Sequence, residues 1–384
     1  MRQPQLRQPQ LRQPQLRQPQ LRQPHRSSAS LTLGLYTALI VYASLYPFSG
    51  WRDQGLMPFD FLTAPWPRYW SQFDTVANFV GYVPLGFLMA LALLRTTVLP
   101  RPVLLATLAA SALSLCMESL QTYIPQRIPA LSDWLLNTLG ACAGAWLAGG
   151  LEHMGTIDHW SRFRARWFTD DARGALVLLA IWPFALLFPA SVPLGLGQVF
   201  ERAESTLEGL LAGSAFLYWL PVRSLELQPM VPLAEMLCVA LGLLAPCLLG
   251  YAIVLGNQRR ALFFIAACAI SVVASGLSTA LTYGPEHAWG WLTKPVLVGW
   301  FLGCLLALAS LTLPRRACLA LLLVALVWQL GMLNLAPSSP YFAQTLQGWE
   351  QGRFIRFNGL AQWIGWLWPY AALGLAVMSL SRRA

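Results

Sequence analysis

The stretch at residues 236–258, MLCVALGLLAPCLLGYAIVLGNQ, decides the fold class. From Met236 to Gln258 it carries no charge and shows no period-2 alternation. Only a helix satisfies its own backbone polar groups in lipid, and about 20 apolar residues carry a helix across the hydrocarbon core. This stretch is long enough to cross. It is not isolated. Charge-free runs recur at 27–51, 75–94, 102–117 (extending toward 123), 134–151, 174–200, 261–285, 295–314, 317–349 and 358–381. The sequence therefore predicts ten crossings. One further run, 209–222, is short for a span and has the length of a re-entrant or interfacial segment.

Composition agrees. Of 384 residues 56% are apolar and 11% charged, against about 25% charged in a soluble domain, and mean hydropathy is +0.52. A soluble enzyme, a disordered chain and a small disulfide scaffold are excluded. The expected fold is all-α: a polytopic helical membrane protein of about ten transmembrane helices plus one short re-entrant or interfacial segment.

The net charge of +10 does not mark a nucleic-acid binder, because its arginines concentrate in short loops. Cytoplasmic loops of membrane proteins are enriched in Arg and Lys. Six arginines precede the first span, and alternation then puts Arg95, Arg101 and the Arg162, Arg164, Arg166, Arg173 loop on the same inner side. If 209–222 does not cross, Arg259–Arg260, Arg315–Arg316 and Arg382–Arg383 join them, giving 18 basic residues inside against 8 outside. That reading puts both termini in the cytoplasm of a bacterial inner membrane. Lipids are then the obligatory partners.

Residues 1–26 form a basic arm built on four copies of Arg-Gln-Pro-Gln-Leu. Proline every fifth residue forbids a regular helix, so the arm reads as disordered. Seven cysteines fall in or beside the spans without a CxxC, and read as small packing residues. His153, His159 and Asp158 share a loop without zinc-ligand spacing, so no metal is expected. No P-loop, dinucleotide glycine pattern or GxSxG is present, and no cofactor is expected. Glu235 and Lys294 begin spans and are expected to snorkel to the interface. The 340–357 loop, with Tyr341, Phe342, Trp349, Arg353 and Arg356, reads as an aromatic and basic surface.

One region concentrates polar residues at span ends, where such groups mark function by default. Asp74 and Asn78 are four residues apart at the start of the second span and share a face. Pro84 and Gly86 follow, and Pro84 is expected to kink the helix. Glu118 and Gln121 close the third span, Arg127 lies in the loop, and Asp133 and Asn137 open the fourth. With the orientation above, all seven lie near the outer leaflet. Such a group has the chemistry to bind a cation, hold a polar ligand or do acid–base work between unequal carboxylates. Plain structural roles remain open beside these: N-caps for Asp74 and Asp133, an interhelical hydrogen bond for an Asn, and neutralisation of Glu118 by Arg127.

The ordered set Asp74-x3-Asn78-x5-Pro84-x-Gly86, Glu118-x2-Gln121, Arg127, Asp133-x3-Asn137-x2-Gly140 resembles the VanZ-like family, integral membrane proteins named after a teicoplanin-resistance accessory protein. The resemblance covers about 35–150 and implies a four-helix unit at 31–152. A cytoplasmic loop at 153–173 and a region of about six spans at 174–384 follow it. It implies an envelope protein, in some members tied to low-level glycopeptide resistance. Its ligand would be lipid-linked or part of the cell wall, and the recurring polar residues map onto the seven named above. A membrane enzyme using Asp133 or Glu118 is the alternative. A transporter is the third reading, disfavoured because neither polar groups at mid-membrane nor an internal repeat is visible. Oligomeric state is not readable.

Overall fold

The computed structural model describes residues 28–46, 48, 50–64, 72–96, 101–188, 190–214, 216, 218, 230–283, 285–336 and 355–381. The basic arm and the 340–354 part of the aromatic loop lie outside the described residues, as do the side chains of 355–357. Twelve α-helices are present among the described residues, and no β-sheet. They are α1 (Ser28–Leu45), α2 (Gln72–Thr96), α3 (Pro102–Gln121), α4 (Leu131–His153), α5 (Thr156–Trp167), α6 (Arg173–Ala185), α7 (Phe200–Leu211), α8 (Pro232–Tyr251), α9 (Asn257–Tyr283), α10 (Lys294–Ala309), α11 (Arg315–Asn334) and α12 (Ile355–Ser381). Prolines set several starts, where the missing N–H costs nothing: Pro102, Pro232 and Pro295 lie in first turns.

Six helices are long and apolar enough to cross a membrane: α2, α3, α8, α9, α11 and α12. Shorter apolar helices α1, α6 and α10, together with α4, complete the set of ten expected positions. Large apolar side chains such as Leu108, Trp146, Val273, Phe301 and Trp328 face outward, as a lipid-facing surface requires.

α1–α4 form one bundle. α2 and α4 meet backbone to backbone. A Cβ added at Gly86 would fall on the Ala141 carbonyl, one at Gly140 on that of Phe79, and one at Gly144 on that of Val83. Small residues let membrane helices approach this closely. Gly86 thus serves interhelical contact, and α2 runs as one helix through Pro84. The second bundle, α6 and α8–α12, is built around α8, whose residues from Cys238 to Tyr251 are nearly all buried. Gly299 and Gly303 of α10 bring that helix against Met236 and Ala240 of α8.

One end of the molecule gathers the arginine loops. Arg95 at the end of α2 donates to Ser161 Oγ in α5 (3.0 Å). Arg259 donates to the Arg166 carbonyl and stacks its guanidinium over Trp167. Arg315 pairs with Asp171, and Arg260 holds the carbonyls of Leu311 and Leu313. Burial and the nearby charges of Arg173 and Arg95 lower the Arg164 pKa from its ordinary value. The starts of α6, α9 and α11 therefore lie at one end. Between α6 and α9 the only long apolar helix among the described residues is α8, so the chain passes from the far end back to this one once. α7, whose sequence FERAESTLEGLL is too polar to cross, lies between them at the far end. The described part of 209–222 shows no crossing helix; residues 215, 217 and 219–222 lie outside the description.

One expected span needs correction. The run 174–200 is not one helix: α6 ends at Ala185, and the described residues 186–188 and 190–199 are irregular. α6 has 13 residues, or about 20 Å of helix, short of the roughly 30 Å hydrocarbon core. Apolar content concealed a loop that is packed inside protein. Leu194 and Gly197 take positive φ (62° and 94°), and polar side chains from α11 and α12 receive its backbone. Gln329 donates to Leu194 O (3.1 Å), and Asn334 donates to Gly197 O (3.1 Å) and accepts from Val199 and Phe200 N–H (3.0 Å each). Tyr370 donates to Gly197 O (3.0 Å). Non-helical backbone is tolerated at membrane depth when it is satisfied by protein in this way. Within the run 317–349 the described helix is α11, which ends at Asn334, and residues 337–349 lie outside the described residues. Glu235 is half-buried in the first turn of α8, and its carboxylate accepts from the exposed Thr293 hydroxyl (3.4 Å).

Candidate functional site

The end of the first bundle opposite the arginine loops is where α1 and α3 finish and α2 and α4 begin. Glu118 and Gln121, three residues apart in the last turn of α3, are both buried (4% and 9% exposed). Gln121 donates to Ser44 O near the end of α1 (3.0 Å). Glu118 Oε2 accepts from Ala130 N–H (3.2 Å), the residue that precedes α4. Arg127 reaches back to α1, donating from Nε and a terminal nitrogen to Tyr46 O (3.2 and 2.9 Å) and to Ala43 O (2.9 Å). The last carbonyls of a helix have no intrahelical partner and carry its negative dipole end, so a guanidinium is favoured there.

Asp133 lies in the first turn of α4 but does not cap it; the cap position is Ala130. Its Oδ1 accepts from Ser132 Oγ at 3.4 Å. Asp74 is the third residue of α2, and its side chain lies outside the description. Asn78 is half-buried in α2, with no hydrogen bond to the other six candidates among the described residues. Asn137 is buried, one turn below Asp133, and donates to Ser114 Oγ on α3 (2.9 Å). The loop at 50–64 covers this end: Arg52 N–H donates to Tyr123 O (3.0 Å) and Gln54 to Thr122 O (2.7 Å).

The structure adds residues that the spacing did not reveal. Ser114, fully buried, sits one turn below Glu118, and Tyr82 sits one turn below Asn78. The Tyr82 hydroxyl lies close to Ser114 and Glu118 without meeting hydrogen-bond geometry. Tyr82 Oη and Asn137 Oδ1 are both buried without a hydrogen-bond partner. Ser111 links to α4 twice, through Thr138 Oγ1 (2.9 Å) and through the Trp134 indole to its carbonyl (3.2 Å). The signal was available at i±4 from residues already singled out, but a Ser or Tyr within a span is too common to be selected by spacing. A polar layer of Tyr82, Ser114, Glu118 and Asn137 thus lies inside an apolar bundle. Among the described residues no three His, Cys, Asp or Glu come together as a metal-ligand set.

Residues 30–151 match the model of the VanZ/LLP1 family. Comparison with curated proteins and with solved structures found no match. The matched segment begins in α1 and ends in the last turn of α4, so it takes in every residue of this polar layer and leaves the second bundle outside. The first bundle of this membrane protein is therefore similar to the VanZ/LLP1 family over residues 30–151.

Proposed function

We propose that this chain is a multi-pass protein of a bacterial inner membrane, with the arginine loops and both termini on the cytoplasmic side. In this reading its VanZ-like unit holds the polar part of a lipid-linked or cell-wall ligand at the outer leaflet. Asp74, Asn78, Glu118, Gln121, Arg127, Asp133 and Asn137 form the rim of that site, and Tyr82 and Ser114 its floor. A role in envelope maintenance or glycopeptide resistance follows from the family's name and from nothing finer.

One observation carries the reading. Tyr82 Oη and Asn137 Oδ1 are buried and unpartnered in a bundle otherwise closed by glycine contacts. A buried polar atom without a partner costs about 1–3 kcal/mol, and an apolar replacement would avoid the cost. Retaining two such atoms beside a buried carboxylate makes sense if a ligand group supplies the missing bonds.

Tyr82→Phe separates this from a packing role, since it removes the orphaned oxygen and keeps the ring. The expected result is that native mass spectrometry of the purified protein detects a bound lipid-linked species. Tyr82→Phe should lose that species while keeping or gaining thermal stability. Retention of the same species by Tyr82→Phe, or wild-type protein carrying only bulk lipid, overturns the proposal.

A further inference from the structure

The second bundle contains a cavity of about 440 Å³ at the end opposite the arginine loops. Its origin lies in the helix lengths. α6 stops at Ala185 and α10 begins only at Lys294, so neither reaches that end at full height. The space between them is walled by the 186–196 loop, the first turn of α8, the last turns of α9 and the turn at 287–293. The volume lies in the range of small-molecule sites. The VanZ/LLP1 match does not extend to it.

The lining has a definite donor and acceptor pattern. Glu235, half-buried, presents a carboxylate whose described partner is the Thr293 hydroxyl, and among the described residues no basic side chain pairs with it. The hydroxyl hydrogens of Ser278 and Thr279 are taken up by the carbonyls of Leu187 (2.9 Å) and Ser275 (2.8 Å). Each oxygen therefore has only acceptor capacity left. Donors also face the cavity: Trp291 is 8% exposed and its indole N–H has no partner, and Ser275 and His287 line the same space. Phe188, Leu194 and Val296 supply apolar wall.

The geometry points to a binding site for a small hydroxylated amine. The ammonium neutralises Glu235, remaining donors meet the Ser278 and Thr279 oxygens, and a ligand oxygen accepts from Trp291 Nε1. A carboxylate that lines a cavity is matched best by a positive partner. A neutral polyol supplies none, and an anion is repelled by the carboxylate. The ammonium has two sources, a free amine or the headgroup of an aminophospholipid.

The test is isothermal titration of the full chain in detergent with glucosamine, and with glucose and N-acetylglucosamine as neutral controls of similar shape. The expected result is saturable glucosamine binding with a Kd of about 1 mM or tighter, and no binding of the neutral sugars. Glu235→Gln should weaken it at least about tenfold, the loss of a charge-assisted contact. Trp291→Phe should weaken it several-fold, and serves alone if Glu235→Gln does not fold. Competition by phosphatidylethanolamine in mixed micelles assigns the ammonium to lipid, and absence of competition assigns it to a free amine. Failure of glucosamine to bind, equal binding of glucose, or unchanged affinity in both variants overturns the assignment.

Discussion

Asn334 holds the broken segment between α6 and α7, and replacing it with alanine gives a loss that can be worked out bond by bond. The side chain is 5% exposed, and four of its hydrogen bonds lie among the described residues. The bond to Leu330 O (2.9 Å) stays within its own helix, and that carbonyl keeps its helical donor. The Gly197 carbonyl keeps the Tyr370 hydroxyl. What Asn334→Ala orphans is the pair of amides at Val199 and Phe200, which lead into α7. Partly buried orphaned amides cost about 1 kcal/mol each, so the expected loss is about 2 kcal/mol, before any cavity term. Tyr370→Phe alone should cost about 0.6 kcal/mol, the average for a hydrogen bond between membrane helices, because Asn334 still serves Gly197. The double variant leaves Gly197 O without either donor and should lose more than the sum by about 1 kcal/mol. The assay is unfolding by sodium dodecyl sulfate in mixed micelles, followed by circular dichroism. A loss below about 0.5 kcal/mol for Asn334→Ala, or strict additivity in the double variant, would refute the view that these side chains carry the loop.

Two further outcomes are expected. Burial would raise the Asp171 carboxyl, but the hydrogen bond and charge of Arg315 outweigh it and hold the group below its ordinary value; the pair's contribution is therefore present above about pH 4 and lost as pH falls through the lowered pKa. Both side chains are more than a third exposed, so Asp171→Asn should cost under about 1 kcal/mol at pH 7, and the gap should close on acidification, a widening gap contradicting the sign. For orientation, α1 starts and α12 ends at the arginine end, so alkaline phosphatase fused after Ala384 should be inactive and a fluorescent protein there bright; the opposite pair of results would invert the topology.

The helices were legible because apolar runs long enough to cross a bilayer have few other uses. Their failure at 174–200 has the same cause. Hydropathy measures whether a residue tolerates a dry environment, and Leu186, Leu194 and Leu196 are dry inside protein as well as inside lipid. Nothing local distinguishes the two; the difference lies in Gln329, Asn334 and Tyr370, far along the chain. At the candidate site, residues at the ends of spans stood out by charge. Ser114 and Tyr82 did not, because their meaning depends on which helix faces them. Gly86 stood out only as a neighbour of Pro84, and its approach to Ala141 was not legible, since a glycine's role is set by what approaches it. Arg127 was weighed against Glu118, yet its described bonds go to Ala43 and Tyr46 at the end of α1.

α8 is enclosed by its neighbours, about two thirds buried, yet carries the strongly apolar composition of a lipid-facing helix. The order of synthesis accounts for this. Chains are made from the N-terminus at about 5–20 residues per second, so α8 enters the bilayer several seconds before α10 and α11 exist to cover it. During that interval its whole circumference must be compatible with hydrocarbon. Glu235 stays in the first turn, within reach of the headgroups, and from Met236 to Tyr251 the helix carries no charge. The apolar character of this central helix is thus a record of its passage through lipid, and polar contacts to it, such as Gln329 on the Cys238 carbonyl (3.2 Å), arrive with the later helices.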